Sequence, residues 1–225
     1  MNPGADEGPQ FFDGSGCPLD FGCADCDACW DGKDNDCDGL RDGWEIGCNS
    51  ACPGTPIVID TRGDGFHLVG LSAGVRFDLL GNGHPMRTGW IQGDEALLVL
   101  DRNGNGIIES GRELFGNVAR LRSGRHAQNG YMALAELDEN GDGVLDARDA
   151  AFATLRLWFD RNVNGRTEPG ELVTLAQSGI GGIELNYRES RRRDPHGNEF
   201  RYRAKVYGPG PANRFSYDVI FVQQP

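Results

Sequence analysis

From Ile57 onward the apolar positions fall in short runs closed by Gly, Asn or Asp: Ile57–Ile59, Phe66–Val69, Val75–Leu80 and Ala96–Leu100. Runs of that length between turn residues predict the strands of a small antiparallel sheet. Three more strands are predicted late in the chain, at Ile183–Tyr187, Phe200–Tyr207 and Phe215–Val222. In the second of these, Phe200, Tyr202, Ala204 and Val206 alternate with Arg201, Arg203 and Lys205. The basic stretch from Arg188 to Lys205 therefore reads chiefly as the solvated face of a strand. Between the strand groups the pattern reads as helical, over 112–118 and 130–137. Ala147–Phe159 is crowded with apolar residues, as in a helix buried on a broad face. Pro169–Gln177 has Pro near its first turn and Gly179 just past its end, the favoured places for each. The fold class predicted is α+β.

One spacing recurs along the chain: an acid at position 1, oxygen side chains at 3 and 5, and Gly at 6. Calcium accounts for it. The ion takes six to eight hard oxygen ligands, and short Asp and Asn side chains at alternate positions place theirs inside one tight loop. Gly at 6 lets the backbone reverse so that the carbonyl of residue 7 points inward, and an acid at 12 closes the far side. Four segments fit. The first offers Asp34, Asp36, Asp38, the Leu40 carbonyl, Asp42 and Glu45. The second offers Asp101, Asn103, Asn105, the Ile107 carbonyl and Glu109; its position 12 is Arg112, and Glu113 is taken as the closing ligand. The third offers Asp138, Asn140, Asp142, the Val144 carbonyl, Asp146 and Asp149. The fourth offers Asp160, Asn162, Asn164, the Arg166 carbonyl, Glu168 and Glu171. The segments led by Asp60 and Asp78 look like decayed copies, with Arg62 and Leu80 at a ligand position, and read as turns between strands. The 37 residues from Asp101 to Asp138 leave room for an exiting and an entering helix, as in paired helix–loop–helix calcium units. The 22 from Asp138 to Asp160 leave room for one shared helix.

Composition and charge narrow the partners. Glycine supplies 34 of 225 residues, about twice the usual share of roughly 7 %, so the chain turns often. The formal charge is −12; residues 1–60 hold thirteen acids against Lys33 and Arg41. Such a surface repels nucleic acid and favours cations. No apolar run is long enough for a membrane helix, and Met1–Gln10 lack the basic start and apolar core of a secretory signal. All seven cysteines lie between Cys17 and Cys52. Their clustering suggests a small disulfide-stapled segment; the alternative is a thiolate metal run at Cys23, Cys26 and Cys29. Seven is odd, so three bridges leave one thiol over. The composition shifts at Pro53–Pro56, which divides the chain into a Cys/Asp-rich segment, 1–55, and a second domain, 56–225.

At these residues the sequence resembles the EF-hand proteins of secreted bacterial kind. The Asp138–Asp149 and Asp160–Glu171 pair is similar to dockerin repeats. The run Ile57–Gly116 is similar to a calcium-binding segment of secreted bacterial proteins, and Asp34–Asp38 resembles an Asp/Cys metal-binding motif of bacterial surface proteins. The resemblance implies EF-hand helix–loop–helix units and Ca2+ as the bound ion. The histidines His67, His84, His126 and His196 are scattered, and no nucleophile elbow or phosphate loop is present. The reading is a non-enzymatic calcium-binding module, secreted or at the cell surface, with a dockerin-like adhesion module as the alternative. Its partners would be calcium ions and a cell-surface protein or polysaccharide.

Overall fold

The computed structural model describes residues 54–211 and 214–224, all within one compact unit, Pro53–Pro225. The Asp34–Glu45 loop and the seven cysteines lie outside the described residues. Fourteen strands are present among those described: β1 Ile57–Asp60, β2 Leu68–Val69, β3 Val75–Phe77, β4 Met86–Thr88, β5 Trp90–Ile91, β6 Glu95–Val99, β7 Val144–Asp146, β8 Arg156–Trp158, β9 Leu172–Thr174, β10 Gly182–Glu184, β11 Arg188–Arg193, β12 Glu199–Tyr207, β13 Phe215–Ile220 and β14 Gln223–Gln224. Nine form one antiparallel sheet in the order β7-β10-β12-β13-β1-β6-β8-β9, with β11 added beside β12. It makes a half-barrel. Two small sheets, β14-β4-β3 and β2-β5, complete the unit.

The middle of the large sheet is buried on both faces. In β1 and β6, Ile57, Ile59, Ala96 and Leu98 enter one core with Phe115, Tyr131, Leu157 and Ile183. Val58, Leu97 and Val99 enter the other with Trp90, Trp158, Phe200 and Phe221. A strand between two cores needs apolar residues at every position and loses its two-residue period. The second core is dominated by aromatic rings, with Trp90 5.0 Å from Phe77 and 5.7 Å from Trp158, centroid to centroid.

The α+β class with helix–loop–helix units does not hold: the fold is mainly antiparallel β. The one α-helix among the described residues, α1 Gly130–Ala135, is six residues long and capped by Asn129, whose side chain accepts the Met132 N–H. Across 112–118 only a 3-10 turn forms, Gly111–Glu113. There the backbone bonds to other strands instead, with Ile57 N donating to Phe115 O and Leu100 N to Glu113 O. A Cβ at Gly111 would stand 1.7 Å from the Leu79 carbonyl oxygen, and one at Gly116 would stand 1.6 Å from that of Thr55. Both glycines are required by these close approaches. The apolar crowding at Ala147–Phe159 is a 3-10 turn, Ala150–Thr154, followed by β8, whose neighbours β6 and β9 explain its burial. In place of Pro169–Gln177, Gly170 turns the chain at φ +88° and β9 follows.

The first and last long strands of the unit are adjacent. β1 pairs with β13, Ile57 opposite Asp218, and Val219 N donates to Pro56 O. The start of β1 thus lies beside the end of β13, from which the chain runs on to β14 beside β4.

Candidate functional site

Five described turns are built on one hydrogen-bond scheme, in which the first aspartate accepts backbone N–H groups from the residues it leads. Asp101 Oδ1 accepts from Gly104 N and Asn105 N, and its Oδ2 from Gly106 N, at 2.8–3.2 Å. Asp138 takes Gly141 N and Gly143 N, both at 2.9 Å. Asp160 takes Asn164 N at 3.0 Å and Gly165 N at 2.7 Å. Asp60 and Asp78, at the head of the two decayed copies, do the same with Gly63 and Gly65, and with Asn82 and Gly83. Side-chain capping of a tight turn is what Asp and Asn do well. The scheme needs only the leading Asp and permissive glycines, so it survives Arg62 and Leu80.

The closing acids also fold back onto backbone. Glu171 accepts from Arg161 N at 3.2 Å and Glu168 N at 3.0 Å, and Asp149 from Glu139 N at 2.9 Å and Asp146 N at 3.0 Å. In the second turn Glu113 Oε2 accepts from Glu109 N at 2.8 Å, while its buried Oε1 accepts no hydrogen bond among the described residues. The intermediate positions face one another. Asn103 and Asn105 donate their side-chain amides to Glu109, and Asn162 donates to Glu168. In the third turn the Arg148 guanidinium bridges Asp142 and Asp146, at 2.6 and 2.7 Å. Its hydrogen bonds hold the Asp146 carboxyl below the usual range. Among the expected carbonyl donors, Ile107 is exposed, and Val144 opens β7 opposite Glu184. Arg166 donates its N–H to Asn164. The second and fourth turns meet through Thr167, whose Oγ1 accepts Ile108 N at 2.9 Å and donates to Ile108 O at 3.3 Å. No group of three or more His, Cys, Asp or Glu side chains that could hold a metal ion occurs among the described residues. The EF-hand and dockerin resemblance is overturned: the Asp138 turn follows α1 and leads into β7, and none of the five turns joins a pair of helices.

Four features escape a reading of spacing alone. Trp90 Nε1 donates to Asp160 Oδ2 at 2.7 Å, and Trp158 Nε1 to Glu171 Oε2 at 3.3 Å. The first and last acids of the fourth turn are thereby anchored in the aromatic core. Arg148 is the second feature. The third is a cleft of about 330 Å³ lined by Asp60, Asp64, His67, Gln92, Asp94 and Glu95. In it the buried Glu95 carboxylate accepts His67 N at 2.8 Å and lies 3.1 Å from Nδ1. Burial raises the Glu95 carboxyl above its ordinary range, and Arg62 pairs with Asp94 at 2.7 Å.

The fourth feature is Asp218, wholly buried on β13. Its Oδ2 accepts Gly130 N at 2.6 Å and the Thr55 hydroxyl at 3.2 Å. Asn117 completes the clamp on Thr55, accepting its N–H at 2.9 Å and donating back to its Oγ1 at 3.2 Å. Burial pushes the Asp218 carboxyl up to about 7, against the lowering effect of those hydrogen bonds and of Arg201. A Thr–Asn–Asp constellation drawn from residues 55, 117 and 218 has no local signature.

The chain is 46 % identical over 145 residues to the iron-regulated protein FrpA of Neisseria meningitidis serogroup C. That stretch is 64 % of this chain and 13 % of FrpA, so the chain spans a small part of its relative's length. The SPM domain family matches residues 57–222, from the start of β1 to just short of β14. By that match the chain belongs to the SPM domain family, which replaces the EF-hand and dockerin assignment.

Proposed function

We propose that the SPM unit is a non-catalytic folded module of a longer protein, secreted or displayed at the cell surface. The observation that carries this reading is the adjacency of β1 and β13, which sets the start of the first strand beside the end of the last long one. A unit with neighbouring ends can interrupt a longer chain without disturbing what lies on either side. The small share of FrpA that the chain matches supports the same reading. The two acids with raised pKa are each engaged by backbone N–H groups, Asp218 by Gly130 and Glu95 by His67, which supports a structural use for both. The test is to insert Pro53–Pro225 into a surface loop of a stable host protein and to fractionate the native source. Retention of both melting transitions, with the native protein in the medium or removed by surface protease, is expected. Loss of the host fold, or recovery only from the cell interior, would refute the proposal.

A further inference from the structure

β11 lies at an edge of the large sheet, pairing with β12 alone. Its register sets Arg188 directly opposite Arg203, both exposed. Facing side chains on antiparallel strands stand about 5 Å apart at Cβ, and like charges in that position are destabilising. The nearby cations are mostly used. Arg193 pairs with Glu199 at 2.6 Å, and Arg192 lies over the Phe200 and Phe66 rings at 4.6 and 5.7 Å. Arg188 and Arg203, with Arg191 and Lys205, have no carboxylate at ion-pair distance among the described residues, although Glu184 accepts the Lys205 backbone N–H. Arg203 lies over the Phe215 ring at 5.6 Å. Along β12, Arg203 and Lys205 are two residues apart, a spacing of about 6.6 Å on one face.

We propose that the Arg188–Arg203 pair, flanked by Arg191 and Lys205, is a docking surface for a polyanionic polysaccharide. Charge complementarity selects an anion in a chain whose overall charge is −12. The form of the edge selects a glycan over an added peptide strand. β11 is bulged between Glu189 and Arg192 and carries charges along its length, two devices that block edge-to-edge pairing. A flexible chain of regularly spaced acidic groups needs no main-chain hydrogen bonds. It relieves the repulsion that folding imposes on the two arginines. The surface is distinct from the aspartate turns and does not depend on the module reading.

The test uses the full 225-residue chain on immobilised heparin, in chelator so that no divalent ion bridges acid to sulfate. Retention at 0.15 M salt is expected, with Arg188→Ala/Arg203→Ala weakened about tenfold or more, which is about 1.4 kcal/mol. Arg76→Ala/Arg166→Ala removes the same charge elsewhere and should bind as the wild type does. Melting supplies an independent readout: Arg188→Ala should leave the transition unchanged or raise it, because a repulsion is removed. Passage of the wild type through the column would overturn the proposal, as would equal loss in the control pair. So would a lowered transition in Arg188→Ala, which would make the pair structural. Competition by polyglutamate or an oligonucleotide of matched charge as strong as that of free heparin would overturn the choice of polysaccharide.

Discussion

Replacing Asp218 with asparagine separates charge from shape at the most deeply buried acid of the unit. The carboxyl joins β13 to the N-terminus of α1 through Gly130 and to the strand entry through Thr55. Asparagine keeps the acceptor for both and cannot ionise. In the unfolded chain an aspartate titrates near 3.9; in the folded protein Asp218 is raised to about 7. Between those values the folded state binds the extra proton, so stability falls as pH rises from about 4 to about 7 and is level above that. A shift of this size corresponds to an upper figure of roughly 4 kcal/mol. The other groups facing the site are Arg201, Tyr131 and Tyr217. The Tyr131 phenol, held by Ser216, is raised well above its ordinary value.

The assay is urea unfolding of wild type and Asp218→Asn at half-unit steps from pH 4.5 to 8.5, analysed as a difference. Subtraction cancels the remaining carboxylates. The variant should gain on the wild type through pH 5–7 and hold a constant margin above pH 7.5. Its amide N–H2 lacks an acceptor where Asp218 Oδ1 has no hydrogen bond. That loss is a pH-independent offset of about 1–3 kcal/mol; it lowers the whole difference curve without changing its slope. A flat difference would refute the buried-acid reasoning. A slope of the opposite sign would mean that the native state favours the carboxylate.

Trp90→Phe removes the indole donor from the buried Asp160 carboxylate and should lower the unfolding free energy by about 1–3 kcal/mol; an unchanged urea midpoint would show that the fourth turn stands without its core anchor. Val163 occupies the left-handed region at φ 54°, where the matching positions of the second and third turns are Gly104 and Gly141. Val163→Asn should raise stability by about 1 kcal/mol, since Asn tolerates that conformation, and a lower thermal midpoint would count against strain there. Gly116→Ala forces a Cβ against the Thr55 carbonyl and should cost about 3 kcal/mol or more; a native-like melting curve would disprove the close approach.

The strands were legible because the sequence marks their ends. Turn residues bound Ile57–Ile59, Ala96–Leu100 and Phe215–Val222, and each of these segments contains a strand. Length and bounding residues carry that signal even in β1 and β6, where two cores remove the alternation. The helices failed where an apolar density was read without a partner. Leu157 and Trp158 are buried because β6 and β9 cover them, a long-range fact that leaves the same density as a buried helix. At Gly111 and Gly116 the decisive contacts come from Leu79 and Thr55, far away in sequence. The clamp on Thr55 and the Trp90–Asp160 bond join residues 163 and 70 positions apart. No local period records them.

The aspartate turns were legible as units and misread in context for one physical reason. The Asp-led, Gly-rich hexapeptide encodes its own backbone path: the leading carboxylate caps the N–H groups that the reversal exposes, and the glycines take positive φ. Nothing in that path requires a helix before or after it. A helix–loop–helix unit needs a period of 3.6 on both flanks, whereas Leu98 and Val99, just before the Asp101 turn, are the end of strand β6. The flank, then, decides the architecture while the hexapeptide decides only the turn. Asp60 and Asp78 demonstrate the separation, because they keep the turn after losing an oxygen at a ligand position. Repetition of the motif is therefore accounted for by turn geometry in all five described copies. A claim for a bound ion needs more than that spacing, and no group of three or more His, Cys, Asp or Glu side chains that could hold a metal ion occurs among the described residues.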